Sequence, residues 1–201
     1  MKRIAAVILT LTALFTVLTG CKGPITDAQA VEILTPLLEK DAQLNRYVWG
    51  DGFTTRDDPG EDANATETCK YYRVSAEAPY HSVAELKAAI EEVYSEQLIP
   101  SIYAYAFENN NETMARFCDF TQNDEIADLQ IDVTLNHPPY QLSTVFYPAT
   151  AVVKRSTATI MEVEVEYSNG EDGERQTTTL RLLKQNDVWK LDTHTWAGKV
   201  A

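Results

Sequence analysis

Cys21 closes the run Leu18-Thr19-Gly20-Cys21, and a thiol placed after small residues at the end of an apolar N-terminal stretch is a site for acylation. Lys2 and Arg3 supply a basic start, Ile4 to Leu18 is apolar apart from threonines, and polar sequence begins at Lys22. A membrane-spanning helix needs about 20 apolar residues, and this run has roughly 15. It therefore reads as a lipoprotein signal peptide over residues 1–20, cleaved before a lipidated Cys21. At about 0.8 kcal/mol per buried methylene, two acyl chains anchor durably where one holds only marginally. The expected address is the outer face of the cell membrane, with the mature chain tethered by its N-terminal lipid.

The other chemistry-bearing residues form no strong constellation. With Cys21 committed to lipid, Cys69 and Cys118 are an even pair in a non-cytosolic space. A bridge between them would close a loop of about 49 residues, for roughly 4 kcal/mol of chain entropy; two separate thiols are the equal alternative. Neither has a histidine close in sequence, and neither the stretch Asn64 to Thr68 ahead of Cys69 nor the pair Phe117 and Asp119 beside Cys118 is electropositive, so neither reads as a catalytic thiolate. His81, His137 and His194 lack metal-ligand spacing, and no metal or cofactor is expected. Asp124, Glu125, Asp128 and Asp132 have no glycine to form a tight calcium loop. Glu162, Glu164 and Glu166 alternate along a strand about 6.7 Å apart, a solvated stripe for which Arg181 on a neighbouring strand is the expected partner. No nucleophile elbow, phosphate-cradling loop or dinucleotide fingerprint is present. No catalytic residue is named, and a binding role is favoured over an enzyme.

Aromatic residues are the better source of a site. The chain has 10 Tyr, 6 Phe and 3 Trp, and most fall on the buried phase of their elements. Trp49, Phe53, Tyr80, Tyr147 and Trp196 stand beside turns and are the candidate binding surface.

The elements that must carry these residues follow from patterning. Residues 21–25 are a lipidated cysteine and a short linker, and residues 26–201 read as one α+β extracytoplasmic domain. Thr26 and Gln29 make a capping box ahead of Ala30, Ile33, Leu34, Leu37 and Leu38 at helical spacing, with Pro36 expected to kink that helix or end its first segment. Gly50 and Gly52 mark a turn, and 56–68 reads as a mobile loop. Tyr71 to Ser75 is a strand. Ser82 with Glu85 caps a second helix carrying Leu86, Ala89, Ile90, Val93 and Tyr94, and Ser101 caps a short extension after Pro100. The second half is strand-like. Ile160 to Tyr167, Thr177 to Lys184 and Trp189 to Thr193 form an antiparallel meander, with Ile131 to Leu135 and Val152 to Lys154 as further strands. Helices followed by a curved antiparallel sheet give an α+β fold with the helices on one face.

Loss of residues 1–20 takes away Lys2 and Arg3 and moves the formal charge from −13 to about −15. Such a balance argues against nucleic acid and against adhesion to anionic lipid. It suits a soluble head near a negative surface, or a basic partner.

Trp49-Gly50-Asp51-Gly52-Phe53, Tyr71 to Val74, Tyr80 to Lys87, Val93-Tyr94-Ser95, Tyr147 to Ala151 and Trp189 to Trp196 occur in an order that resembles a group of uncharacterised lipoproteins of Gram-positive, clostridial-type bacteria. More distantly the order is similar to the secreted inhibitors of cell-wall DL-endopeptidases, the IseA family. The likeness lapses over Glu108 to Tyr140, and no inhibitory residue carries over. It implies a non-catalytic domain that modulates a cell-wall hydrolase, with a cell-wall protein as partner. Val188 to Thr193 on a final strand also resembles the cystatin-like cone of nuclear-transport-factor-like domains. That likeness implies the alternative, a cone-shaped small-molecule binder or enzyme with an internal pocket.

Overall fold

The structure, a computed structural model, describes residues 24–56, 71–108, 115–122, 125–132 and 142–201. Residues 1–20, expected as a signal peptide, Cys21, all but Arg56 of the loop expected over 56–68, Cys69, Asp124 and His137 lie outside the described residues.

Helix α1 (Asp27–Val48) begins at its capping box: Thr26 Oγ1 accepts from the Gln29 amide, and Gln29 Oε1 accepts from the Thr26 amide at 3.0 Å. Pro36 does not end the helix, which continues to Val48. A proline inside a helix costs about 3 kcal/mol, but Leu34 and Leu38 on either side of it are fully buried. Packing of that stripe outweighs the missing donor.

Strand β1 (Tyr71–Arg73) precedes helices α2 (Val83–Val93) and α3 (Ile99–Ala106). Ser82 caps α2 by accepting from the Glu85 amide at 3.1 Å, while the Glu85 carboxylate accepts from the His81 amide. Ser101, expected as a cap, lies inside α3, where Pro100 takes a first-turn position that needs no amide donor. Strands β2 (Phe117–Gln122) and β3 (Glu125–Asp132) complete a three-stranded antiparallel sheet ordered β1-β3-β2.

A second sheet holds β4 (Thr144–Ser156), β5 (Ile160–Asn169), β6 (Gln176–Gln185), β7 (Val188–Leu191) and β8 (Ala197–Val200), in the order β7-β6-β5-β4-β8. The expected meander is β5-β6-β7. Its second turn uses Asn186 and Asp187 at φ 49° and 63°, the left-handed pair that a two-residue hairpin requires. Strand β8 departs from the expectation because it pairs parallel to β4, and four residues carry too little periodicity to be read as a strand. Gly198 permits that pairing, since a Cβ there would lie 1.9 Å from the Leu142 carbonyl oxygen.

Along β5, Met161, Val163 and Val165 are buried while Glu162, Glu164 and Glu166 stay half-exposed. Arg181 stands opposite Glu162 in register, yet its ion pair is with Asp192 at 3.2 Å; Glu164 pairs with Lys154 at 2.7 Å and Glu166 with Arg175 at 2.8 Å. The buried face of this sheet, with Ala151, Leu180, Leu182 and Leu191, joins Ala30, Leu34 and Leu38 of α1 in one hydrophobic cluster. The molecule is α+β, with α1 laid on β4 and β8 so that its side chains fill the sheet's inner face. No described helix is long and apolar enough to cross a membrane.

Candidate functional site

The buried stripe of α1 carries two polar residues one turn apart, Asp41 and Asn45, and both are inside the protein. Asp41 is 0 % exposed. Its Oδ1 accepts from the Tyr94 hydroxyl at 2.7 Å; its Oδ2 accepts from Asn45 Nδ2 at 3.1 Å and from the Thr195 hydroxyl. Asn45 Nδ2 also reaches the Ala197 carbonyl at 3.2 Å. Burial pushes the Asp41 carboxyl up from 3.8 to about 7, and the three donors from Thr195, Tyr94 and Asn45 hold it back only in part. Tyr94, which faces that carboxylate, is raised well above its ordinary value, chiefly by burial. The network ties α1 to the end of α2 and to the start of β8.

Between Thr195 and Ala197 the chain turns outward at Trp196, whose φ of 53° is a left-handed conformation that a bulky residue rarely holds. Thr195 and Ala197 are both buried and tied to the Asp41 network, whereas Trp196 is 40 % exposed. Its ring stacks on His194 at 5.5 Å and meets Trp49 at 5.1 Å, and Trp49 packs on Tyr105 at 4.1 Å. Backbone strain of this kind persists where the surroundings over-determine it, and it gathers at functional segments.

His194 Nε2 lies 3.2 Å from Ser101 Oγ, which raises the question of a serine nucleophile. The Ser101 hydroxyl has a single proton, and the Leu98 carbonyl, which can only accept, takes it at 2.8 Å. His194 therefore donates to Ser101 and does not draw its proton, and no carboxylate bonds its Nδ1 among the described residues. Burial keeps the imidazole below its ordinary value, so it is neutral near pH 7. The pair is a structural hydrogen bond without the orientation that nucleophilic catalysis needs.

Clefts open on the surface among the described residues, and two of them concern the residues above. One, of about 450 Å³, lies between the α2–α3 junction and the β6–β7 turn, with Glu91, Glu96, Ile99, Pro100, Val188 and Lys190 among its walls and Tyr94 at its edge with the buried network. The other, of about 300 Å³, lies between the end of α1 and the loop before α2, lined by Arg46, Tyr47, Phe53, Ser75 and Glu77 among others.

The five aromatics singled out by sequence fall in three places. Trp49 and Trp196 share the cluster with His194. Phe53 stacks on Tyr47 at 4.2 Å and meets Tyr80 at 6.2 Å beside the smaller cleft. Tyr147 is apart, with the Arg175 guanidinium 3.9 Å over its ring and its hydroxyl 3.0 Å from Ser168 Oγ. Trp49 and Phe53 are only 6 % and 7 % exposed, so both act mainly as packing. Between them lies Arg116, 2 % exposed, donating to the Gly50 carbonyl at 2.6 Å and to the Tyr105 hydroxyl. Its Nε has no hydrogen-bond partner among the described residues. Cys118 is half-buried, with Sγ 3.4 Å from Gln130 Oε1. Asp128 of the loose acidic group bonds Arg56 at 2.9 Å, and no set of three or more His, Cys, Asp or Glu residues among the described ones could hold a metal ion.

No family model and no curated protein matches the chain.

Sequence reasoning passed over Asp41, Asn45, Tyr94 and Thr195. A signal did exist, since Asp41 and Asn45 continue the stripe of Leu34 and Leu38 at helical spacing, and polar residues in that phase must find partners. The partners come from positions 49 to 154 residues away, which no local pattern reveals.

Proposed function

We propose that the chain is a lipid-anchored extracytoplasmic protein, held at the outer face of the membrane through Cys21, that binds a partner at the cell wall and performs no chemistry of its own. The run ending in Cys21 supports the anchor, and the likeness of Trp49–Phe53, Tyr80–Lys87 and Trp189–Trp196 to hydrolase inhibitors supports a peptidoglycan hydrolase as the partner. One observation carries the preference for surface binding over an internal pocket. The inner face of the five-stranded sheet, where a cone-shaped binder would keep its cavity, is filled by Ala30, Leu34 and Leu38 of α1. Binding capacity is then left to the outer clefts and the His194–Trp196 segment.

The reading is tested by adding the full chain to a wall-digestion assay with DL-endopeptidase-type hydrolases. The expected result is saturable slowing of digestion. Unchanged digestion at saturating protein, together with no retention of any wall protein on the immobilised chain, would sink the proposal. For the anchor, Cys21→Ser is expected to abolish incorporation of labelled fatty acid and to move the protein from the membrane fraction to the medium.

A further inference from the structure

The cleft between the α2–α3 junction and the β6–β7 turn has walls of two characters. Ile99, Pro100 and Val188 are apolar, and Val188 is 51 % exposed although it stands at the start of a strand. Glu91, Glu96, Gln185 and Asn186 are polar. The cleft is preformed: the Glu96 amide donates to Gln185 Oε1 at 3.1 Å, which ties the helix junction to the hairpin, and the left-handed Asn186 and Asp187 fix the hairpin's tip. A site organised before binding loses less entropy on filling.

The charges of the cleft are unequal in availability. Lys190, the cation of the lining, is held by the carbonyls of Glu91 and Glu92 at 2.8 and 2.7 Å, at the end of α2 where the helix dipole is negative, and its charge is outnumbered by the carboxylates of Glu91 and Glu96. The Glu91 carboxylate accepts from the Tyr103 hydroxyl at 2.7 Å and is held in place. Glu96 is exposed and has no ion pair among the described residues. An apolar wall beside an unpaired carboxylate, in a chain of net charge −13, complements a group with an apolar stem and a cationic head. Lysine and arginine side chains have that form.

We propose that this cleft docks a lysine or arginine side chain presented by a protein segment, the stem against Val188, Ile99 and Pro100 and the cation at Glu96 and Glu91. The proposal rests on the reading of the chain as a binding protein and names the chemistry of its partner. A lone amine at an exposed carboxylate holds weakly, so flanking apolar residues of a segment are required alongside the charge.

The test uses the full chain, isotopically labelled in neutral detergent, titrated with acetyl-Leu-Lys-Leu-amide, with its norleucine analogue and with free cadaverine. Amide shifts at Glu96, Asn186 and Val188 are expected with the lysine peptide, weakening in high salt. The norleucine peptide should bind about two- to fivefold more weakly, and Glu96→Gln should lower lysine-peptide affinity by a similar factor. Val188→Ser should weaken both peptides. No shift at the cleft, or equal binding of the lysine and norleucine peptides, would overturn the proposal; equal binding of cadaverine would overturn the protein segment as its source. If Glu96→Gln and Val188→Ser slow wall digestion with the same half-maximal concentration as the unaltered chain, this cleft is not the docking site while the binding reading stands. No slowing by the unaltered chain at saturation, together with no wall protein retained on it, removes that reading itself.

Discussion

Replacing the Asp41 carboxylate by an amide (Asp41→Asn) should change how stability depends on pH, and the buried network sets both sign and size. Asp41 is fully buried, and its carboxyl is raised from 3.8 to about 7, mainly by loss of water. Between those values the folded state holds a proton that the unfolded chain releases. Stability from this group is therefore complete below about pH 4, falls as pH rises, and is gone above about pH 7. The interval spans about three pH units, and at about 1.4 kcal/mol per unit the loss amounts to about 4 kcal/mol. An asparagine side chain in this place can imitate the protonated form. Its amide nitrogen would face the Tyr94 oxygen, and the Tyr94 hydroxyl would turn to Asn45 Oδ1, 3.4 Å away. Its amide oxygen would keep the donors Asn45 and Thr195. Urea unfolding of both proteins from pH 4 to 8 gives a difference curve in which other titrating groups largely cancel. The two should be nearly matched at pH 4, with the amide variant gaining steadily and leading by up to about 4 kcal/mol near pH 7.5. A difference that does not change with pH, or a parent protein that gains on the variant as pH rises, would refute the reasoning. It would mean that the three hydrogen bonds outweigh burial and keep Asp41 ionised.

Other substitutions probe the remaining elements. Gly198→Ala sets a methyl against the Leu142 carbonyl and should loosen β8 from β4, costing about 2 kcal/mol or more in thermal or urea unfolding, with hydrogen exchange rising over 197–200. Leu34→Ala removes a fully buried side chain between α1 and the sheet and should cost about 2–5 kcal/mol by the same measurement. Glu164→Ala breaks an exposed pair with Lys154 and should change stability by less than about 1 kcal/mol; a larger loss would show that the acidic stripe is more than a solvated face.

Local patterning was enough for elements whose reasons lie within a few residues. Thr26 with Gln29 and Ser82 with Glu85 announce helix starts because a cap is a contact three residues long. The alternation of Met161, Val163 and Val165 with glutamates announces a strand with one dry face, and Asn186-Asp187 announces a hairpin tip. The same logic failed at Pro36, where the local penalty was visible but the burial of Leu34 and Leu38 that overrides it was not. It also missed β8, whose only reason to be a strand is a parallel neighbour about fifty residues earlier.

The sequence by itself determined the acidic balance, the α+β class and the aromatic-rich turns, because each is written in residue type and short spacing. Tertiary structure alone decided which of those aromatics face water and which are packing. It split Trp49, Phe53, Tyr80, Tyr147 and Trp196 into three places and filled the sheet's inner face with α1. It joined Asp41 and Asn45 to Tyr94 and Thr195, partners 49 to 154 residues away along the chain. The reason is physical: burial and hydrogen-bond partnership depend on what the folded chain brings near, and neither the desolvation that raises Asp41 nor the walls of the Glu96–Val188 cleft exists until α2, α3 and the β6–β7 hairpin meet.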